Sequence, residues 1–279
     1  MSSDTPTKLP ASAEEQALAR HREALRERFP MPEPKPRKTR KPLLAGGLVL
    51  LLGAGLAWLD PSYHSEQYAS AVGERRLLTL ADGSQVEMDS GTRLSVSWHL
   101  RSRRITLQQG QALFEVSKAV FRPFQVEAGT AQVNVLGTRF NVLRGVDTVE
   151  VALLRGSLAV QSTVDPAQHQ RLAPGQQVSV NQGRLQPLAT ADLVRITAWQ
   201  PQRLVFARTP LSQALAQIQR YRVAVIELEG QGLADLPVTG TFDTRNVEAL
   251  LDVLPRILPV SVRRDPEGRV RIGPRAIGH

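Results

Sequence analysis

The spacing of apolar and polar positions divides the chain into four stretches. Pro42 to Leu59, PLLAGGLVLLLGAGLAWL, contains no charged residue. As a helix it reaches roughly 27 Å, enough to cross the hydrocarbon core of a bilayer once. Ahead of it, Ala13 to Phe29 places Leu18, His21, Leu25 and Phe29 on one narrow helical face. Arg20, Glu23, Arg26, Glu27 and Arg28 cover much of the remainder, and Ser12 with Glu15 forms a capping box. Pro30, Pro32, Pro34 and Pro36 end this helix and hold the chain extended. A polar stretch from Pro61 to Gly73 reads as a linker.

Beyond Gly73 the period changes to two. Leu78 and Leu80, Val86 and Met88, then Leu94, Val96 and Trp98 alternate with polar neighbours. Ile105 and Leu107, Phe114 and Val116, Phe124 and Val126, and Val133 and Val135 continue the pattern. Phe140 and Val142, Val149 to Leu153, Leu158 and Val160, and Val178 and Val180 complete it. Such alternation predicts half-buried strands, and Asp82-Gly83-Ser84, Gly110, Gly129, Gly137, Gly156 and Gly175 supply the turns between them. Many short strands at near-even spacing fit a β-solenoid, a barrel or a sandwich, and periodicity alone does not choose.

From Trp199 strands and helices mix. Leu204–Ala207, Val223–Leu228 and Pro237–Phe242 are predicted strands. Helices are predicted from Pro210, with Leu211, Leu215, Ile218 and Tyr221 on one face, and from Asn246 to Leu254. Val260–Arg263 and Arg269–Ile272 form a hairpin around Asp265-Pro266-Glu267-Gly268. The expectation is a small α+β domain.

Charge gives the first stretch its direction. Lys35, Arg37, Lys38, Arg40 and Lys41 precede the apolar run, and no Lys or Arg follows it until Arg75. The asymmetry predicts a cytoplasmic N-terminus with the long C-terminal part outside, and Trp58 sits where an interfacial ring belongs. A signal peptide is the competing reading, but some forty residues precede the run. The expected organisation is therefore a cytoplasmic tail over 1–41, a transmembrane helix over 42–60, a β domain over 61–190 and an α+β domain over 198–279.

The net charge of +9 does not indicate nucleic-acid binding, because much of the excess lies before the membrane and no aromatic platform accompanies the Arg residues. With no cysteine, disulfides and thiol chemistry drop out. His21, His64, His99, His169 and His279 are scattered without ligand spacing, so no metal or cofactor is expected. No nucleophile elbow, phosphate loop or HExxH motif is present, which argues against an enzyme acting in turnover.

ERRLLTLADGSQVEMDSGTRLSV, RRITLQQGQALFEVSK, RPFQVEAGTAQVNVLGTRFNV, VEVALLRGSLAV and LAPGQQV resemble the FecR family in order and spacing, over roughly Gly73 to Val180. The combination of Asp82-Gly83-Ser84, Arg122-Pro123-Phe124 and Leu136-Gly137-Thr138-Arg139-Phe140 carries the resemblance. It implies an inner-membrane regulator whose periplasmic sensor takes a signal from an outer-membrane TonB-dependent receptor, probing siderophore or iron supply. The signal passes to a cytoplasmic ECF sigma factor, with membrane proteases as further partners. LVFARTPLSQALAQIQRY and VTGTFDTRNVEALLDVLP resemble the STN domain, implying a docking site for the receptor's signalling domain.

Family members usually carry a longer helical anti-sigma domain before the membrane. In this chain Leu18, Leu25 and Phe29 are the candidate contacts for a cytoplasmic partner. Some FecR-like regulators self-cleave at a Gly-Thr bond, and Gly137-Thr138 occupies the matching motif, so one single-turnover cleavage is the most enzymatic behaviour expected. Gly91-Thr92, Gly129-Thr130 and Gly240-Thr241 repeat the dipeptide, and a plain glycine turn into a strand accounts for it equally. An envelope scaffold with a partner-binding β domain and no transcriptional output is the alternative.

Overall fold

The computed structural model describes residues 13–29, 51, 53, 55, 58–230 and 232–275. The chain separates into two units, Met1–Gly53 and Ala54–His279. In the first, α1 spans Ala13–Arg28, with Glu14 and Glu15 in its first turn and Arg26 and Arg28 in its last, both favourable to the helix dipole. None of its residues is buried. Ser12, and with it the capping box, lies outside the described residues, as does most of the apolar run. Of that run Leu51, Gly53, Gly55, Trp58 and Leu59 are described, all helical. Among the described residues no helix is long and apolar enough to cross a membrane.

The second unit opens with a departure from expectation. The stretch read as a linker contains a strand, β1 (Ser62–Ala69), paired antiparallel with β4 (Arg93–His99). Its sequence, SYHSEQYA, is polar because the strand is exposed along nearly its whole length, with only Tyr68 packing on the core. A solvated edge strand lacks the alternation by which strands are recognised.

The following strands are β2 (Arg76–Thr79), β3 (Gln85–Met88) and β5 (Arg103–Glu115). Then come β6 (Phe124–Ala128), β7 (Ala131–Val135), β8 (Arg139–Arg144), β9 (Thr148–Arg155) and β10 (Leu158–Ser162). β11 (His169–Leu172), β12 (Gln176–Asn181), β13 (Arg184–Leu185) and β14 (Ala189–Thr190) end the series. β5 organises them. Its first half pairs with β4 and in parallel with β6, and its second half pairs with β3 and β8. From these halves run β6-β7-β10-β11 on one side and β8-β9-β12-β13 on the other.

Pairing within this lobe is antiparallel except between β5 and β6, so a parallel solenoid is not formed. Apolar faces from both halves enter one core, as in a sandwich. Phe114 of β5 stacks on Phe140 of β8 with centroids 5.0 Å apart, and meets Phe124 of β6 edge-on at 6.3 Å. The bend in β5 falls at Gly110, whose φ is +88°. A Cβ there would lie 2.4 Å from Thr92 Oγ1 and 2.7 Å from Thr92 Cα, so only glycine fits.

A short helix, α2 (Leu193–Thr197), leads into the α+β lobe. Its elements are β15 (Arg203–Pro210), α3 (Leu211–Gln219), β16 (Ile226–Leu228), β17 (Pro237–Asp243), α4 (Val247–Ile257), β18 (Val260–Arg264) and β19 (Val270–Pro274). β15 pairs with β17, and β16-β19-β18 form a second sheet with β16 parallel to β19. Leu211, Ala214, Leu215 and Ile218 of α3, and Val247, Leu250, Leu251 and Leu254 of α4, supply buried faces at i, i+3, i+4, i+7 to a separate core. α4 runs past its expected end at Leu254 and includes Pro255, while the strand expected at Val223–Leu228 shortens to β16.

Candidate functional site

The family-like motifs converge on Arg103, the first residue of the RRITLQQGQALFEVSK stretch. Arg103 occupies the inward phase of β5, two before Ile105, and is almost fully buried. Its guanidinium donates to the Asp82 carboxylate and to Ser117 O at 3.2 Å, its Nε donates to Arg122 O at 3.0 Å, and it lies over the Phe124 ring at 5.2 Å. Asp82 also accepts from the Ser84 N–H at 2.9 Å and the Ser84 hydroxyl at 2.7 Å. Burial opposes its charge, but the Ser84 and Arg103 hydrogen bonds outweigh that and lower its pKa. Asp82-Gly83-Ser84 and Arg122-Pro123-Phe124 are thus two walls around one buried cation. The signal was present in sequence as an arginine in phase with Ile105 and Leu107.

This network braces the segment beside Gly137 and Thr138. Val116 N–H donates to Thr138 O at 3.0 Å, and Ala119 N–H to Leu136 O at 3.1 Å. The Thr138 hydroxyl is buried and donates to Ser157 O at 2.8 Å. A Cβ on Gly137 would fall 2.3 Å from Lys118 Cγ, and one on Gly156, whose φ is +95°, would fall 3.0 Å from Gly137 O. Glycines are therefore required on both sides of the Gly137-Thr138 bond. Thr92, in one of the competing dipeptides, is also buried, but its hydroxyl donates to Gln111 O in the bend of β5.

The two lobes of the second unit are joined by a polar clamp that sequence reading missed. Asp89 is buried, and its carboxylate accepts from Tyr221 Oη at 2.8 Å and 3.0 Å and from the Arg220 guanidinium. Arg220 Nη1 also donates to Gln111 Oε1 at 2.6 Å, and Ser90 Oγ donates to Arg220 O at 2.6 Å. Burial, and then the Asp89 charge, push the Tyr221 phenol up. Beside the clamp lies a cavity of about 120 Å³, with Gln111, Asn141, Arg195 and Trp199 in its lining. Trp199 is buried and its Nε1 has no hydrogen-bond partner among the described residues. No sequence signal marks Asp89, since its burial is created by the other lobe.

In the first unit Leu18, Leu25 and Phe29 are all exposed along α1, and the Phe29 N–H donating to Leu25 O at 3.0 Å continues the helical pattern. Among the described residues no group of His, Asp and Glu could hold a metal ion.

Residues 66–159 match the FecR protein family. No curated protein matches the chain. The chain is similar to a proposed anti-sigma factor from Parabacteroides distasonis solved at 2.50 Å. They are 27% identical over 76% of this chain and 99% of that one, with a TM-score of 0.66. A 1.65 Å structure described in the same words is 27% identical over 74% and 98% of the two chains, with a TM-score of 0.65. The matched share exceeds the β lobe, so the likeness takes in the α+β lobe as well. The buried Arg103 network and the Phe114, Phe124 and Phe140 cluster lie within the residues that match the FecR protein family.

Proposed function

We propose that this chain is a single-pass inner-membrane regulator of an ECF sigma factor, relaying a signal from a TonB-dependent outer-membrane receptor, in the service of iron or siderophore uptake. The observation that carries the reading is the FecR-family domain, in a fold similar to a proposed anti-sigma factor. The apolar segment with its basic N-terminal flank supports the topology. The α+β lobe, with its STN-like sequence, is the proposed dock for the receptor's signalling domain. β18 is an edge of its three-stranded sheet, with backbone groups placed to pair with an added strand. Docking is followed by membrane proteolysis, and the tail is released with or from the sigma factor held through Leu18, Leu25 and Phe29.

The test is an affinity pull-down of the C-terminally tagged chain from its native membranes. The expected outcome is recovery of a sigma factor, lost when Leu18, Leu25 and Phe29 are replaced together by alanine. Recovery of envelope proteins but reproducibly no sigma factor would sink the regulator reading in favour of a scaffold. A scaffold would also retain its role when residues 1–41 are exchanged for an unrelated basic tail of equal length.

A further inference from the structure

We propose that one end of the β lobe is a membrane-contact surface. The turn His99–Ser102 and the loop formed by residues 118–123 lie against anionic phospholipid headgroups. The inference rests on the single-pass reading above.

The chain fixes where this end must be. Asp60, the residue after the apolar run, is buried and held to the β4–β5 turn. Its carbonyl accepts from His99 Nδ1, and its carboxylate accepts from the Arg101 N–H at 2.9 Å and from Ser102 Oγ at 2.7 Å. β1 begins two residues later and pairs with β4 from its first residue, Ser62 opposite His99. No free linker separates lobe and apolar segment, since two residues span at most about 7 Å. A lobe attached this closely brings its near end to the bilayer surface.

That end is dressed for such a surface. Phe121 is 95% exposed and Val120 74%, and Leu100, Leu136, Trp58 and Leu59 are exposed as well. Arg122 ties the loop to the turn by donating to His99 O at 2.6 Å and to Tyr63 Oη at 3.3 Å, while Ala119 N–H donates to Leu136 O. Lys118 and Arg122, the latter bonded only to neutral acceptors, bring positive charge among these apolar groups. The neighbouring carboxylates are already matched: Asp60 with Arg104, Asp82 with Arg103 and Glu115 with Arg155. Exposed aromatic and aliphatic side chains interleaved with cations, fixed beside a membrane segment, fit the interfacial layer of an anionic bilayer.

The chain has no cysteine, so one can be placed at will. Full-length F121C and V146C would be labelled with an environment-sensitive fluorophore and reconstituted into vesicles of phosphatidylglycerol and phosphatidylcholine containing a lipid-borne quencher. Val146 is 99% exposed at the far ends of β8 and β9. The expected result is a blue-shifted label at 121, quenched about threefold or more above the label at 146, with the difference shrinking in pure phosphatidylcholine. Equal quenching at both positions in chains that resist carbonate extraction would overturn the contact surface alone. Extraction of the chain by carbonate would overturn the single-pass reading and this inference with it. Shielding of position 121 only after other envelope proteins are added would replace the membrane by a protein partner.

Discussion

Gly110 is the residue at which one strand becomes part of two half-sheets. Its positive φ and the absence of a Cβ both serve the close approach of Thr92, whose hydroxyl donates to Gln111 O at 3.0 Å and accepts from the Gln111 N–H at 3.1 Å. Gly110→Ala must relieve a contact with backbone as well as side chain, and is expected to cost roughly 2–4 kcal/mol. Thermal unfolding of the purified chain checks this, and a melting temperature equal to wild type would show that β5 can bend elsewhere. The glycine was legible in sequence as a turn between two alternating runs. Its role inside one continuous strand was not, because a bend and a turn carry the same glycine signal.

At the scale of elements, the strands with a buried face were legible and the exposed ones were not. Alternation marks β3 to β10 and β12, where every second residue enters a core. β1 and β11 face solvent on most positions, so polar composition hid them. The connection between β7 and β8 presents a sharper question. It holds Thr138 Oγ1 in a buried hydrogen bond next to the Gly137 carbonyl, and cleavage there needs a specific step. The Thr138 oxygen bonds to the Gly137 carbonyl carbon, the Gly137–Thr138 amide breaks, and the proton passes to the new amine, leaving an ester for water to hydrolyse. Thr138→Ala is expected to abolish any cleavage, read by immunoblot of chains tagged at both ends. Identical fragments from wild type and mutant would remove Thr138 from the chemistry. Thr138→Ser, which retains the hydroxyl, should retain the fragments.

For the whole molecule, the Asp89 clamp decides whether a load on the α+β lobe reaches the β lobe. Asp89→Ala leaves Arg220 Nη2 and the Tyr221 hydroxyl without their acceptor, and breaking a buried pair from one side costs about 3–5 kcal/mol. The expected outcome is independent unfolding of the two lobes in calorimetry, with faster proteolysis between β14 and β15. A second expectation concerns coupling: Tyr221→Phe should be nearly silent in the Asp89→Ala background, because both remove the same interaction. Unchanged cooperative unfolding of Asp89→Ala would mean that the remaining contacts, Ser90 Oγ to Arg220 O and Arg220 to Gln111 among them, suffice to join the lobes.

What the sequence determined by itself was the succession of regions: a charged helical tail, an apolar run with one basic flank, a field of alternating strands, and a mixed α+β end. Each follows from local periodicity and charge, which act over a few residues and are written directly in the chain. Arg103 sat between these cases, visible as a charge in an inward phase but with partners known only once the chain folded. The tertiary structure alone decided that β5 is shared by two half-sheets, that Asp60 is fastened to the β4–β5 turn, and that Asp89 is buried by Tyr221. These contacts join residues separated by 39 to 132 positions. Their strength comes from desolvation by a partner that no local pattern can name.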